Sequence, residues 1–195
     1  MIQRDSLLSL EAYAKQRNQF RAKVMEHKKR RTLHLGAHVT LLFEDELTVR
    51  YQVQEMLRIE RIFEEEGIQH ELDAYNPLVP DGANWKATLM IEYPDPEERR
   101  RMLAALKGIE RRVWVQVAGG DGAGGRVYAI ADEDLERETE AKTSSVHFLR
   151  FELDPAMRER LRGGAAVRVG VDHPQYAAAV ELAPEARAAL ASDLA

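Results

Sequence analysis

Glu60, Glu64 and His70 are the residues whose types and spacing point most directly to chemistry. Two carboxylates one helical turn apart, with an imidazole delivered by the following segment, make a donor set suited to iron, manganese or zinc. At about 100° per residue, Val49, Val53, Met56, Leu57 and Phe63 fall on one helical face, and Glu60 falls in the middle of it. A carboxylate in an apolar stripe costs free energy unless something pairs with it. The partner could be a cation, a hydrogen-bond network, or an arginine such as Arg50, Arg112, Arg150 or Arg168. Glu71, Asp73, His38 and His173 are candidate supplements to a metal site, and His70 reads equally as a core histidine. The Glu-x-x-His repeats of carboxylate-bridged di-iron bundles are absent. Single-histidine ligation of haem, or a flavin site, is the organic alternative, with His70 near Tyr75 or His173 near Tyr176.

The elements that must carry these residues are a helix predicted over 46–66 and a strand predicted over 68–73. Gly67 separates them as a left-handed cap. In that strand His70 shares the inner face with Ile68 and Leu72. A first helix is expected over 9–30, capped by Ser9, with the basic run His27 to Arg31 at its end. Those cations offset the helix dipole and read as a solvated face, since no aromatic platform for bases follows. Residues 32–44 alternate as one strand that places His34 and His38 on one face, roughly 13 Å apart.

Further strands are predicted over 85–93, 112–118, 126–131, 145–153, 166–172 and 176–182, and a third helix over 96–107, opened by Asp95-Pro96. Short helices follow Asp154-Pro155 and Pro184. Between the strands at 112–118 and 126–131, Gly120, Gly122 and Gly125 satisfy G-x-G-x-x-G. A strand follows them where a phosphate-binding helix should begin, so they read as a hairpin tip. His147 shares a face with Leu149 and Phe151 and is expected in the core. The polar stretch 132–144 is an exposed helix or a linker, and is the one candidate for a weak boundary within a single domain spanning 1–195. The predicted fold is α+β: about seven strands, mostly antiparallel, with the helices packed on one face.

Composition narrows the function. The chain has 195 residues, a formal net charge of −5 and no cysteine. Disulfides, thiolate zinc, cysteine nucleophiles and cysteine-ligated iron–sulfur clusters are excluded in this chain, so in any electron transfer a partner carries the cluster. The acidic balance argues against nucleic acid. No apolar run approaches the roughly 20 residues of a membrane span, and the N-terminal order is not that of a secretory signal, so the cytoplasm is the expected location.

Four segments, QEMLRIERI, IQHELDAYNPLVP, VHFLRFEL and GVDHPQY, resemble the bacterial domain-of-unknown-function family 3501 (DUF3501). The resemblance carries over no catalytic residue. It implies a genomic neighbourhood of rubrerythrin-like proteins and an iron–sulfur oxidoreductase, and hence peroxide or redox physiology. Two functions are therefore expected to compete: a non-catalytic accessory or assembly subunit that docks on a cluster-bearing partner, and a small metalloprotein or metalloenzyme built on Glu60, Glu64 and His70.

Overall fold

The computed structural model describes residues 1–119 and 124–195, and the chain divides into two compact units. The first comprises 1–30 and 44–80, the second 31–43 and 81–195. Each has its own apolar cluster. The polar stretch 132–144 lies inside the second unit and is not a seam between them.

Three helices make the first unit: α1 (Leu10–Lys29), α2 (Glu46–Glu60) and α3 (Glu65–Tyr75). Ser9 Oγ accepts the Ala12 N–H at 3.2 Å and starts α1. Asp45 and Thr48 form a reciprocal capping box that starts α2. Ile2, Leu7, Val49, Val53, Leu57, Ile68 and Leu72 are the buried cluster between them. The basic end of α1 is more engaged than a solvated face: His27 Nε2 lies 2.5 Å from Asp45 Oδ2, and Lys28 Nζ sits 5.6 Å from the Tyr51 ring centre.

In the second unit, the nine strands among the described residues form two antiparallel sheets instead of one of about seven. They are β1 (Thr32–Leu35), β2 (Val39–Glu44), β3 (Asn84–Ile91), β4 (Val113–Val117), β5 (Arg126–Tyr128), β6 (Ile130–Ala131), β7 (Val146–Glu152), β8 (Val167–His173) and β9 (Tyr176–Glu181). One sheet runs β1-β2-β3-β7-β6, the other β5-β4-β8-β9. Alternation along the strands sends Val113, Val115 and Val117 into the same core as Trp85, Leu89, Leu149 and Phe151. The helices of this unit are α4 (Pro96–Ala105), α5 (Pro155–Arg162) and α6 (Pro184–Ala191). Asp95 and Asp154 cap the first two as expected, accepting the Glu98 and Met157 N–H groups at 2.7 Å each.

The predicted strand over 32–44 is a hairpin. Gly36 turns the chain with φ +73, and the Tyr176 hydroxyl stands 2.6 Å from where a Cβ would be. That hydroxyl donates to the Leu35 carbonyl at 2.5 Å and accepts the His38 N–H at 3.1 Å, so β9 pins the turn. Arg31, placed by sequence in the solvated basic run, is 3% exposed and forms a two-point ion pair with Asp193 at 2.5 and 2.8 Å. β4 and β5 pair as the expected hairpin, Trp114 opposite Tyr128. Gly120 and Gly122 of its expected tip lie outside the described residues. Among the described residues no helix is long and apolar enough to cross a membrane.

Candidate functional site

The segment expected to hold the metal ligands is built differently. α2 stops at Glu60, and Arg61 takes the left-handed conformation with φ 56. The N–H groups of Arg61 and Ile62 converge on the Leu57 carbonyl, the latter at 2.9 Å. Gly67 is no cap, and no strand follows it: residues 65–75 are helical, with Glu65 and Glu66 in the first turn where acids favour the dipole. Ile68 and Leu72, four apart, share a face under either periodicity. In the helix they turn inward while His70, halfway between them, faces water.

Glu60, Glu64 and His70 are all exposed, so Glu60 does not occupy the apolar stripe. The stripe is Val49, Val53 and Leu57, and it ends one turn earlier than the residue pattern suggests. Among the described residues no group of three or more His, Asp or Glu side chains is placed to hold one metal ion. Of the supplements, Asp73 is exposed and accepts Gln69 Nε2 at 2.7 Å, and Glu71 is half-buried on the same helix. His38 lies in the other unit, stacked on Tyr93 with ring centres 4.0 Å apart. His173 is 9% exposed, with Nε2 donating to the Lys107 carbonyl at 3.0 Å and Nδ1 accepting the Gln175 N–H at 3.2 Å. Both its ring nitrogens are used, as a structural histidine's are.

The carboxylate of α2 that does need a partner is Glu55. Its side chain is 12% exposed and takes a two-point contact from Arg17, at 2.8 and 2.9 Å, with the Tyr13 hydroxyl donating at 2.7 Å. The Arg17 hydrogen bonds, joined by those from Tyr13 and Arg58, outweigh burial and hold this carboxyl down to about 2. Burial, first, and the contact with Glu55 push the Tyr13 phenol up. Because the folded value lies below the unfolded one, the Glu55 contribution is complete above about pH 4.5 and is lost as pH falls towards 2. Glu55→Gln is expected to cost about 2 kcal/mol at pH 7 and much less near pH 2.5, read from urea midpoints at the two values. An equal loss at both would show that the charge is not what stabilises.

What remains at the α2–α3 corner is an apolar projection. Phe63 is 70% exposed and Ile59 57%. Phe63 lines a small slot of about 80 Å³ together with Leu7, Leu10, Leu57, Ile62 and Ile68. Glu60, Glu64 and Glu66 are exposed in the same segment, and Arg4, which lines the slot, is tied to Glu65 at 2.6 and 2.8 Å. Sequence reading placed Phe63 on the inner face of a continuous helix. The left-handed turn at Arg61 turns it out, and no sequence rule marks an arginine for that conformation.

A family model described as a protein of unknown function (DUF3501) matches residues 1–194. The chain belongs to DUF3501. This DUF3501 protein is also similar to a novel protein of unknown function from Burkholderia pseudomallei K96243 with a crystal structure. The two share 58% identity over 100% of this chain and 99% of that one, with a TM-score of 0.93. No curated protein matches the chain.

Proposed function

We propose that this DUF3501 protein is a cytoplasmic, non-catalytic accessory or assembly subunit of a bacterial redox or peroxide-defence system. It docks on an iron–sulfur oxidoreductase through the α2–α3 corner. The observation that supports the reading is the large aromatic side chain of Phe63, held 70% exposed between two helices. An apolar centre with a charged rim is the anatomy of a docking site, and buried aromatics dominate its energetics. Exposed Glu60, Glu64 and Glu66 flank Phe63 in sequence, so the complementary surface is an apolar pocket bordered by lysine and arginine. A chain without cysteine leaves any thiolate-held cluster to that partner.

Purification from native cells tests the reading, and co-elution of a cluster-bearing oxidoreductase is the expected result. Phe63→Asp should weaken that complex by at least about thirtyfold, the effect of losing a hot spot near 2 kcal/mol, with the helical signal unchanged because the side chain lies in water. A chain that runs alone refutes the accessory role. A complex indifferent to Phe63→Asp refutes the docking corner, and co-elution of a rubrerythrin-like protein alone refutes the choice of partner. Iron, manganese or zinc at one per chain would instead favour the rival carboxylate–histidine centre at Glu60, Glu64 and His70.

A further inference from the structure

An edge strand offers unpaired backbone N–H and C=O groups, and proteins blunt such edges with charge, proline, bulges or shortness. Among the described residues the edges of the two sheets are β1, β6, β5 and β9. Three of them are blunted: β1 has four residues, β6 two, and β5 three with Arg126 among them. β9 has six, pairs with β8 without a bulge, and holds no lysine, arginine or proline.

The Leu182 N–H donates to the Val167 carbonyl at 2.8 Å, which fixes the phase of the ladder between β8 and β9. Tyr176, Ala178 and Val180 therefore aim their backbone groups at β8, while those of Ala177, Ala179 and Glu181 point away from it. Among the described residues no backbone hydrogen bond reaches these outward three, and all three are exposed. Tyr176, Ala178 and Val180 pack on the core yet stay half-buried. The edge is open to a further strand, and its inward row is incompletely covered.

We infer that β9 is a homodimer edge, at which two copies of the chain pair antiparallel about a two-fold axis at Ala179 and join their sheets into one. In this register the strand is complementary to itself. Ala179 faces Ala179 of the second copy and Glu181 faces its Ala177, so the outward backbone groups meet in about six hydrogen bonds. The row through the axis reads Trp114, Gly170, Ala179 and then the same residues in reverse, which leaves only hydrogen and methyl side chains between the two indoles. Glu181 has Arg168 opposite it on β8 and an alanine on the new side, so no like charges stand face to face. On the inward side Val180 meets Ala178 of the second copy, and the apolar row continues across the axis. Any extended peptide would satisfy the backbone groups; the second copy also matches the side chains of both faces.

Sedimentation of the full chain between about 1 and 300 µM tests the inference, with a reversible dimer of micromolar dissociation constant expected, as suits an edge contact of modest area. Ala179→Lys and Ala179→Glu each set two like charges opposite one another, with Cα atoms about 5.5 Å apart, and each should weaken the dimer at least about tenfold. An equimolar mixture of the two variants should dimerise again, because the lysine of one then meets the glutamate of the other. In the wild-type chain the amides of Ala177, Ala179 and Glu181 should exchange more slowly with deuterium as concentration rises. Phe63→Asp should leave the dimer intact, so failure of the docking corner and failure of this interface are told apart. A chain that stays monomeric to about 300 µM overturns the inference, whatever other strand the edge accepts. So does a dimer as strong in both charge variants as in wild type, or one that their mixture does not restore. If either variant does not fold, the concentration dependence of the three amides decides, and exchange that ignores concentration overturns the inference.

Discussion

Asp132→Ala is expected to lower the unfolding free energy by about 3 kcal/mol, because it leaves a buried imidazole without its acceptor. His147 is wholly buried, and its Nδ1 donates to Asp132 Oδ2 at 2.5 Å. The Thr143 hydroxyl and the Ser144 carbonyl lie 2.9 and 3.1 Å from Nε2, so both ring nitrogens are engaged. The other carboxylate oxygen accepts the Phe148 N–H at 3.0 Å and lies 3.3 Å from Arg137, whose guanidinium stacks 4.5 Å from the Phe148 ring centre. One side chain therefore ties the 132–144 loop to β7. Asp132 also adopts φ 52, a conformation aspartate and asparagine tolerate better than alanine. Asp132→Asn, which keeps that tolerance and one oxygen, should lose about half as much. Urea unfolding measures both. A loss below about 1 kcal/mol for the alanine variant would mean that the network contributes no more than an ordinary exposed pair.

Gly170→Ala is expected to cost about 3 kcal/mol, although it adds a single methyl group in a strand. A Cβ there would stand 2.3 Å from Trp114 Cζ2 and 2.8 Å from the Ala178 backbone carbonyl. Gly170 is paired opposite Trp114 on β4 and Ala179 on β9, so its strand cannot retreat from either neighbour. The indole uses the space left by the missing side chain to lie flat on the sheet, 2% exposed, with the Arg126 guanidinium 4.1 Å from its ring centre. The glycine is needed for room and not for an unusual backbone angle. Adding Trp114→Leu to Gly170→Ala should recover part of the loss, a coupling that a double-mutant cycle measures. Additive losses would show that the indole and the glycine are independent.

Much of the fold was legible because local physics and tertiary packing agree along most of the chain. Ser9, Asp95-Pro96 and Asp154-Pro155 mark helix starts through backbone N–H groups that need a partner in any context. The strands near 85–93 and 145–153 pair in the register that buries Trp85, Ala87, Leu89, Leu149 and Phe151 together. His147 was expected in the core from its company on β7, and it is there. Legibility failed where two periods coincide. Ile68, His70 and Leu72 satisfy a strand face, while Ile68 and Leu72 alone satisfy a helix face, and the choice decides whether the histidine points inward. It failed again at 32–44, where an unbroken alternation concealed a turn at Gly36 held by a tyrosine 140 residues later in sequence.

By itself, then, the sequence determined the α+β class, the helix starts at Ser9, Asp95 and Asp154, the two strands that pair as β4 and β5, and the exclusion of any thiolate chemistry, since each rests on residues within a few positions of one another or on composition. Only the tertiary structure decided which carboxylates are buried. Glu60 and Glu55 sit on the same helix with similar neighbours in sequence, but Arg17 and Tyr13 of α1 meet Glu55, while the chain turns away at Arg61 and leaves Glu60 in water. Burial of a charge depends on what distant segments bring to it, and that is set by packing between elements, not by spacing along one of them.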